Sequence, residues 1–231
     1  MSPTSTLLPA PAPSRAAQYR LPVMLGLMAL GILALIHDSL TGLGWTTAAR
    51  WGYSLTAAYA LYALWARDVV VARLLGFALA AGLAELPADA YLVHTTGTLV
   101  YPQPEPMLWA SPVYMPFSWA VVLTQIGFVA WLLLPRLGPW RTGLLLVPVS
   151  GVLIPLYEKW AINAGWWQYR GAPSWHGVPY YIFLAEALLM LPVPWLLLRA
   201  VGKGGRWLPL AGLAEGVVML LACLLAFWLL G

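Results

Sequence analysis

Seven apolar stretches follow one another along this chain, near 21–40, 46–66, 69–93, 112–135, 139–165, 178–200 and 206–230. Each is close to the roughly 20 residues that carry a helix across about 30 Å of hydrocarbon. In lipid every backbone N–H and C=O must be paired within the protein, so runs of this kind fold as helices. The chain is 61% hydrophobic and only 9% charged, against about 25% charged in a soluble domain, so it has too little polar surface to stay in water as a globule. The expectation is an all-α polytopic membrane protein, with a single seven-helix domain over residues 21–230. Residues 1–20 (MSPTSTLLPAPAPSRAAQYR) are rich in Pro, Ser and Ala and read as a disordered cytoplasmic tail. The first span is followed by IHDSLTGLGW rather than a small-residue cleavage site, so it reads as a retained helix and not a signal peptide.

Basic residues set the expected orientation. Arg15, Arg20, Arg67, Arg73, Arg136, Arg141, Arg199, Lys203 and Arg206 fall on one side of the alternating spans. Arg50 and Arg170 fall on the other, with Lys159 near a helix end. The positive-inside rule puts the crowded side in the cytoplasm, giving N-in and C-out. The same scattering of bases between apolar spans speaks against a nucleic-acid partner despite the net charge of +4. A bacterial cytoplasmic (inner) membrane is the expected location. The single cysteine, Cys223, lies in an apolar run and leaves no disulfide or cysteine cluster to build on.

Acidic residues are distributed the opposite way. Asp38, Glu85, Asp89, Glu105, Glu158 and Glu186, with all three histidines, fall in the outer half or outer connections. A carboxylate at mid-bilayer costs about 2.5–3.5 kcal/mol or more, so Glu85, Asp89, Glu158 and Glu186 are expected to line an internal cavity. Glu85 and Asp89 are one helical turn apart and share a face, with Pro87 between them bending the helix. Structural pairing of these acids with Lys159, Arg170 or His94 is the plain alternative. The connection after the third span reads TTGTLVYPQPEPMLWASPVYMPFSW, and that after the fifth reads NAGWWQYRGAPSWHGVPYYIFLAE. Each leaves a helix bearing acids and re-enters through a P-x-Y step, at Pro112–Tyr114 and Pro179–Tyr181, as in a loose internal repeat. Some of these aromatics belong to an interfacial belt; Trp119 and Tyr181, inside the spans, are better candidates for the cavity.

Glu85, Thr96-Gly97, Tyr101 and the re-entry ending in Trp119 resemble carotenoid 1,2-hydratases of the bisanhydrobacterioruberin hydratase type. Glu158, Ala161, Trp167-Gln168-Tyr169 and Val178-Pro179-Tyr180-Tyr181 extend that resemblance over about residues 80–190. The chain departs from the pattern at Thr98-Leu99-Val100, where a phenylalanine-glycine step is usual, and at Lys159, where a proline is usual. The resemblance implies chemistry on a long isoprenoid inside the membrane, without a redox cofactor.

The residue types suit that chemistry. Hydration or cyclisation of an alkene begins with a proton delivered to carbon by a carboxylic acid, a protonation state that burial favours. The resulting cation is held by aromatic faces, and a second carboxylate activates water or removes a proton. The expected function is a cofactor-independent enzyme, a hydratase (lyase) or cyclase, acting on an isoprenoid or similar membrane lipid. Glu85, Glu158 and Asp89 are the catalytic candidates, with acid and base unassigned. Trp119, Trp167, Tyr169, Tyr181, Glu186, Tyr101 and Tyr114 are the candidates for binding substrate. A non-catalytic binder or transporter of a lipid or small molecule is the alternative. A retinal protein is excluded by the lack of lysine in residues 207–230. No metal is expected, since no pair of histidines is spaced H-x-x-x-H on a helix.

Overall fold

The computed structural model describes residues 14–102 and 105–231. Helix α1 (Arg15–Thr41) starts at Ser14, whose hydroxyl accepts the backbone N–H of Ala17 at 3.2 Å. That cap corrects the expected tail boundary: Arg15 to Arg20 are helical, while residues 1–13 of the expected tail lie outside the described residues. Helix α2 (Trp45–Ala66) returns alongside α1, and α3 (Val69–Ala84) begins where Asp68 accepts the N–H groups of Val70 and Val71 at 3.0 and 3.1 Å.

At Glu85 the helix is interrupted, and a short α4 (Leu86–Ala90) runs into a wider π turn (Tyr91–Thr95). Pro87 supplies no N–H there, so the regular ladder cannot continue through it. Helix α5 (Met115–Ala164) holds 50 residues, about 75 Å if straight and far more than one bilayer needs. It breaks at Gly138, which has φ 69° and ψ 170°, a backbone that a side chain would strain. The two halves fold back on each other, so that Ser118 and Val122 meet Ile154 and Tyr157 around shared cavities. Helices α6 (Tyr180–Leu189) and α7 (Val193–Lys203) are bent by 41°, where a continuous span over 178–200 is expected from hydropathy. Pro192 caps α7 and Pro194 lies in its first turn, so the ladder stops there too. Helix α8 (Trp207–Leu230) completes the bundle.

Four of these segments are long and apolar enough to cross a membrane: α1, Val69–Thr95, α5 and α8. The bent α6–α7 pair makes a fifth if it is counted as one span. The architecture is thus all-α and of membrane type. Helix α8 lies directly against α3 through Gly212 and Gly216, where added Cβ atoms would come within 2.4 Å of Ala80 and 2.3 Å of Ala84. This is the small-xxx-small contact that brings helix backbones together in lipid. Gly82 does the same for α3 and α5, since a Cβ there would sit 2.3 Å from the carbonyl oxygen of Pro116. Three residues on along each helix stand Glu85 and Trp119, so this crossing sets the acid beside the indole.

The two long connections form a small cap. Strands β2 (Met107–Leu108) and β3 (Ser111–Pro112) make one hairpin, and β5 (Ser174–Trp175) and β6 (Val178–Pro179) make another. Each turns through two residues, the first at positive φ: Trp109 at 58° and His176 at 50°. The P-x-Y steps therefore follow equivalent hairpins. The connections are also joined to each other, because β1 (Leu99–Val100) pairs antiparallel with β4 (Gln168–Tyr169).

Candidate active site

Beneath that cap lies a cavity of about 70 Å³. Four carboxyl groups border it: Glu85 at the α3–α4 junction, Asp89 on α4, Glu158 on the second half of α5 and Glu186 on α6. All four residues are at most 8% exposed. Trp119, Trp167, Tyr101, Tyr169 and Tyr157 supply aromatic wall, and Ser118, Met115, Met219 and Cys223 complete much of the rest. The last two come from α8, so the cavity draws on the final helix as well as on α3 to α6.

The aromatics are oriented by the acids. The Trp167 indole N–H donates to Glu158 Oε2 at 2.7 Å, and the Tyr169 hydroxyl donates to the same oxygen at 3.0 Å. The Tyr101 hydroxyl donates to Asp89 Oδ2. Because Tyr169 lies in β4 and Tyr101 follows β1, the β1–β4 pairing holds both phenols over the cavity. Burial, followed by the nearby acids, pushes both phenols well above their ordinary range, so they are donors at all physiological pH.

Pairing with bases does not account for this cluster. Among the described residues the ion pairs are Arg20–Asp68 and His37–Asp38. Lys159 instead lies 5.5 Å from the Trp175 ring, and Arg170 donates to the Gly97 carbonyl at 3.4 Å. Glu85 Oε2 and Glu186 Oε2 have no hydrogen-bond partner among the described residues, and neither does either oxygen of Glu215. No group of three His, Cys, Asp or Glu among the described residues is placed to hold a metal ion.

Of the ten residues expected at the site, eight border the cavity: Glu85, Asp89, Tyr101, Trp119, Glu158, Trp167, Tyr169 and Glu186. Tyr181 and Tyr114 do not. Tyr181 is fully buried beside it, bonded through its hydroxyl to Thr98 Oγ1 at 2.6 Å and packed on Phe227. Tyr114 is 1% exposed and faces the buried Glu105 in the cap. The P-x-Y step thus supplies a packing residue in both connections, and its inward position in the sequence was a misleading sign. Tyr157 was missed, although it stands next to Glu158 and borders the cavity; helical periodicity places it on a neighbouring face and offers no signal. Glu215 is wholly buried between the two glycines of the α8–α3 contact and is not among the residues bordering the cavity.

No curated protein and no solved structure matches the chain. Residues 86–230, well over half of the chain, match the family described as domain of unknown function DUF6989, and the chain belongs to that family.

Proposed function

We propose that this protein is a cofactor-independent membrane enzyme that hydrates or cyclises an isoprenoid or similar apolar lipid, starting by protonation of an alkene. The observation that carries the reading is the cavity itself, where four carboxyl groups without ionic partners among the described residues meet Trp and Tyr side chains. Each unpartnered buried polar group costs about 1–3 kcal/mol, and packing alone gives no reason to gather them. Groups kept at such cost cluster at functional sites.

Glu85, with an oxygen that has no partner among the described residues, is the proton donor in this scheme. Its O–H proton goes to an alkene carbon, the π pair forms the new C–H bond, and the adjacent carbon becomes a cation. The indoles of Trp119 and Trp167 hold that charge, at about 2 kcal/mol or more each when desolvated. Glu158, whose Oε2 accepts from the Trp167 indole and the Tyr169 hydroxyl, acts as a carboxylate in this scheme. That carboxylate takes a proton from water as the water oxygen bonds to the cation, which completes hydration. In cyclisation a second alkene supplies the electron pair, and Glu158 removes the proton lost from the ring. Asp89, next to Glu85 in the cavity, tunes the donor.

The bundle in this reading crosses the membrane seven times, with the two halves of α5 as separate spans and α2 and α6–α7 as full crossings. The end that carries Arg15, Arg20, Arg67, Arg199, Lys203 and Arg206 faces the cytoplasm, and the acid cavity opens toward the outer leaflet of a bacterial inner membrane. A reporter fused after Gly231 is then active only outside the cytoplasm. The function is tested by incubating the purified protein, in heavy water, with unlabelled lipids extracted from cells lacking the gene, and resolving the products by mass. The expected result is a lipid gaining one water, or an isomer of a host lipid, with deuterium on carbon. An apolar molecule that copurifies and is recovered chemically unchanged and unlabelled overturns the enzyme in favour of a binding or transport protein.

A further inference from the structure

The acid cavity, at about 70 Å³, accommodates a reacting end and a water molecule or two, and no more. Small-molecule sites run to roughly 300–1,000 Å³. A second cavity, of about 400 Å³, lies between α1, α2 and both halves of α5. The two share a wall: Ser118, Val122, Ile154 and Tyr157 border both.

The second cavity is a long apolar slot. It is bordered from Ser118 to Val129 on the first half of α5, eleven residues apart and so about 16 Å along the helix, roughly half the hydrocarbon thickness. Aliphatic side chains from Met28 to Leu35 on α1 and from Leu146 to Leu156 on α5 face it, together with Trp51, Trp160 and Trp166. Its polar side chains are few, and Gln125 among them is already engaged with the Tyr59 hydroxyl at 3.1 Å. Glycines draw its walls together, since a Cβ on Gly52 would meet Ser118 Oγ at 3.1 Å and one on Gly31 would meet Leu55 at 3.2 Å. Its rim is the lipid-facing surface: Ile32 is 48% exposed, Val149 40% and Leu153 59%.

We infer that this slot holds the unreactive tail of a linear hydrocarbon-chain lipid, which enters sideways from the membrane and presents its terminal alkene to the acid cavity. The inference rests on the acid cavity being the reacting site. It narrows the substrate to an unbranched or isoprenoid chain reaching about 16 Å beyond its reacting end; a compact polycyclic lipid does not fit. The shared wall fixes the direction, with Tyr157 at the point where the tail passes into the acid cavity.

The test uses the purified full chain and a linear conjugated tetraene alcohol as a fluorescent acceptor for the slot tryptophans. Wild type is expected to show saturable energy transfer at one probe per protein. The double variant Ile32→Phe/Val149→Phe, which fills the slot, is expected to weaken binding about tenfold, or 1.4 kcal/mol. Each single variant gives a smaller loss if the double variant folds poorly. Leu225→Phe, at an exposed position on α8, leaves binding unchanged. Non-saturable partitioning, or equal binding by wild type and all filled variants, overturns the slot. Saturable binding that the filled variants lose upholds the slot even if no lipid is converted; conversion that survives filling of the slot upholds the enzyme and overturns the tail site.

Discussion

The two ends of the bundle treat buried carboxyl groups in opposite ways. At the basic end Asp68 is 1% exposed and fully served. It accepts Arg20 Nε at 2.7 Å and Nη2 at 3.0 Å, the Tyr62 hydroxyl at 3.2 Å and two backbone N–H groups of α3. Arg20 also lies 4.9 Å from the Trp131 ring, and Arg73 donates to the Val201 carbonyl at 2.7 Å. Charge at that end ties α1, α3 and α7 together. Around the acid cavity Glu85 and Glu186, and near it Glu215, keep oxygens without partners among the described residues, and the donors to Asp89 and Glu158 are phenols and an indole. A carboxyl with charged and backbone donors holds helices; one with a neutral wall and an open cavity is available to move a proton.

Breaking the basic end gives the largest effect on stability. Arg20→Ala leaves Asp68 buried without its cation, and losing one partner of a buried pair costs about 3–5 kcal/mol. Thermal unfolding of the purified protein is expected to show that loss, with yield falling in parallel. A change within about 0.5 kcal/mol contradicts the structural role assigned to the pair. At the acid end the sign reverses. Glu215→Met removes two unpartnered oxygens at similar length, and is expected to stabilise the α3–α8 contact by about 1–3 kcal/mol; a loss of that size shows that Glu215 has a partner.

Glu105 sharpens the comparison through pH. It is 5% exposed in the cap, and burial pushes its carboxyl from about 4.5 up to about 7. The folded chain then binds more protons than the unfolded chain between those values, so this group's contribution to stability is lost as pH rises through that window. Glu105→Gln removes the dependence. Its melting temperature is expected to match wild type near pH 4.5 and to exceed it by a small, constant margin above pH 7. A margin that shrinks with rising pH overturns the assignment.

Much of the fold was legible because lipid leaves the backbone few choices. Hydropathy marks where α1, α3, α5 and α8 run, and the four-residue spacing of Glu85 and Asp89 announces their shared face. The four acids could be grouped from the cost of exposing them to lipid. What hydropathy hides is anything decided by distant contacts. The antiparallel pairing of Leu99–Val100 with Gln168–Tyr169 joins segments with no shared pattern, yet it sets Tyr101 and Tyr169 over the acids. The same holds for Arg20 and Asp68, which lie 48 residues apart, and for the slot, assembled from mostly large apolar residues on three helices. Tyr181 and Tyr114 show the converse error, since an aromatic just inside a span can as well pack as line a cavity. Arg15 to Arg20 were misread because composition does not register a serine cap.

The central claim is that Glu158 moves a proton rather than holding helices together. It is tested most directly by Glu158→Gln, assayed for conversion of the lipid that cells carrying the gene modify, alongside its thermal unfolding. The account predicts normal yield and unfolding within about 1 kcal/mol of wild type, since the amide oxygen still accepts from Trp167 and Tyr169. Turnover is predicted to fall by about 10²–10⁴-fold, the usual worth of a positioned acid or base. Wild-type turnover in this variant, or a loss of activity that only follows a loss of folded protein, would contradict it.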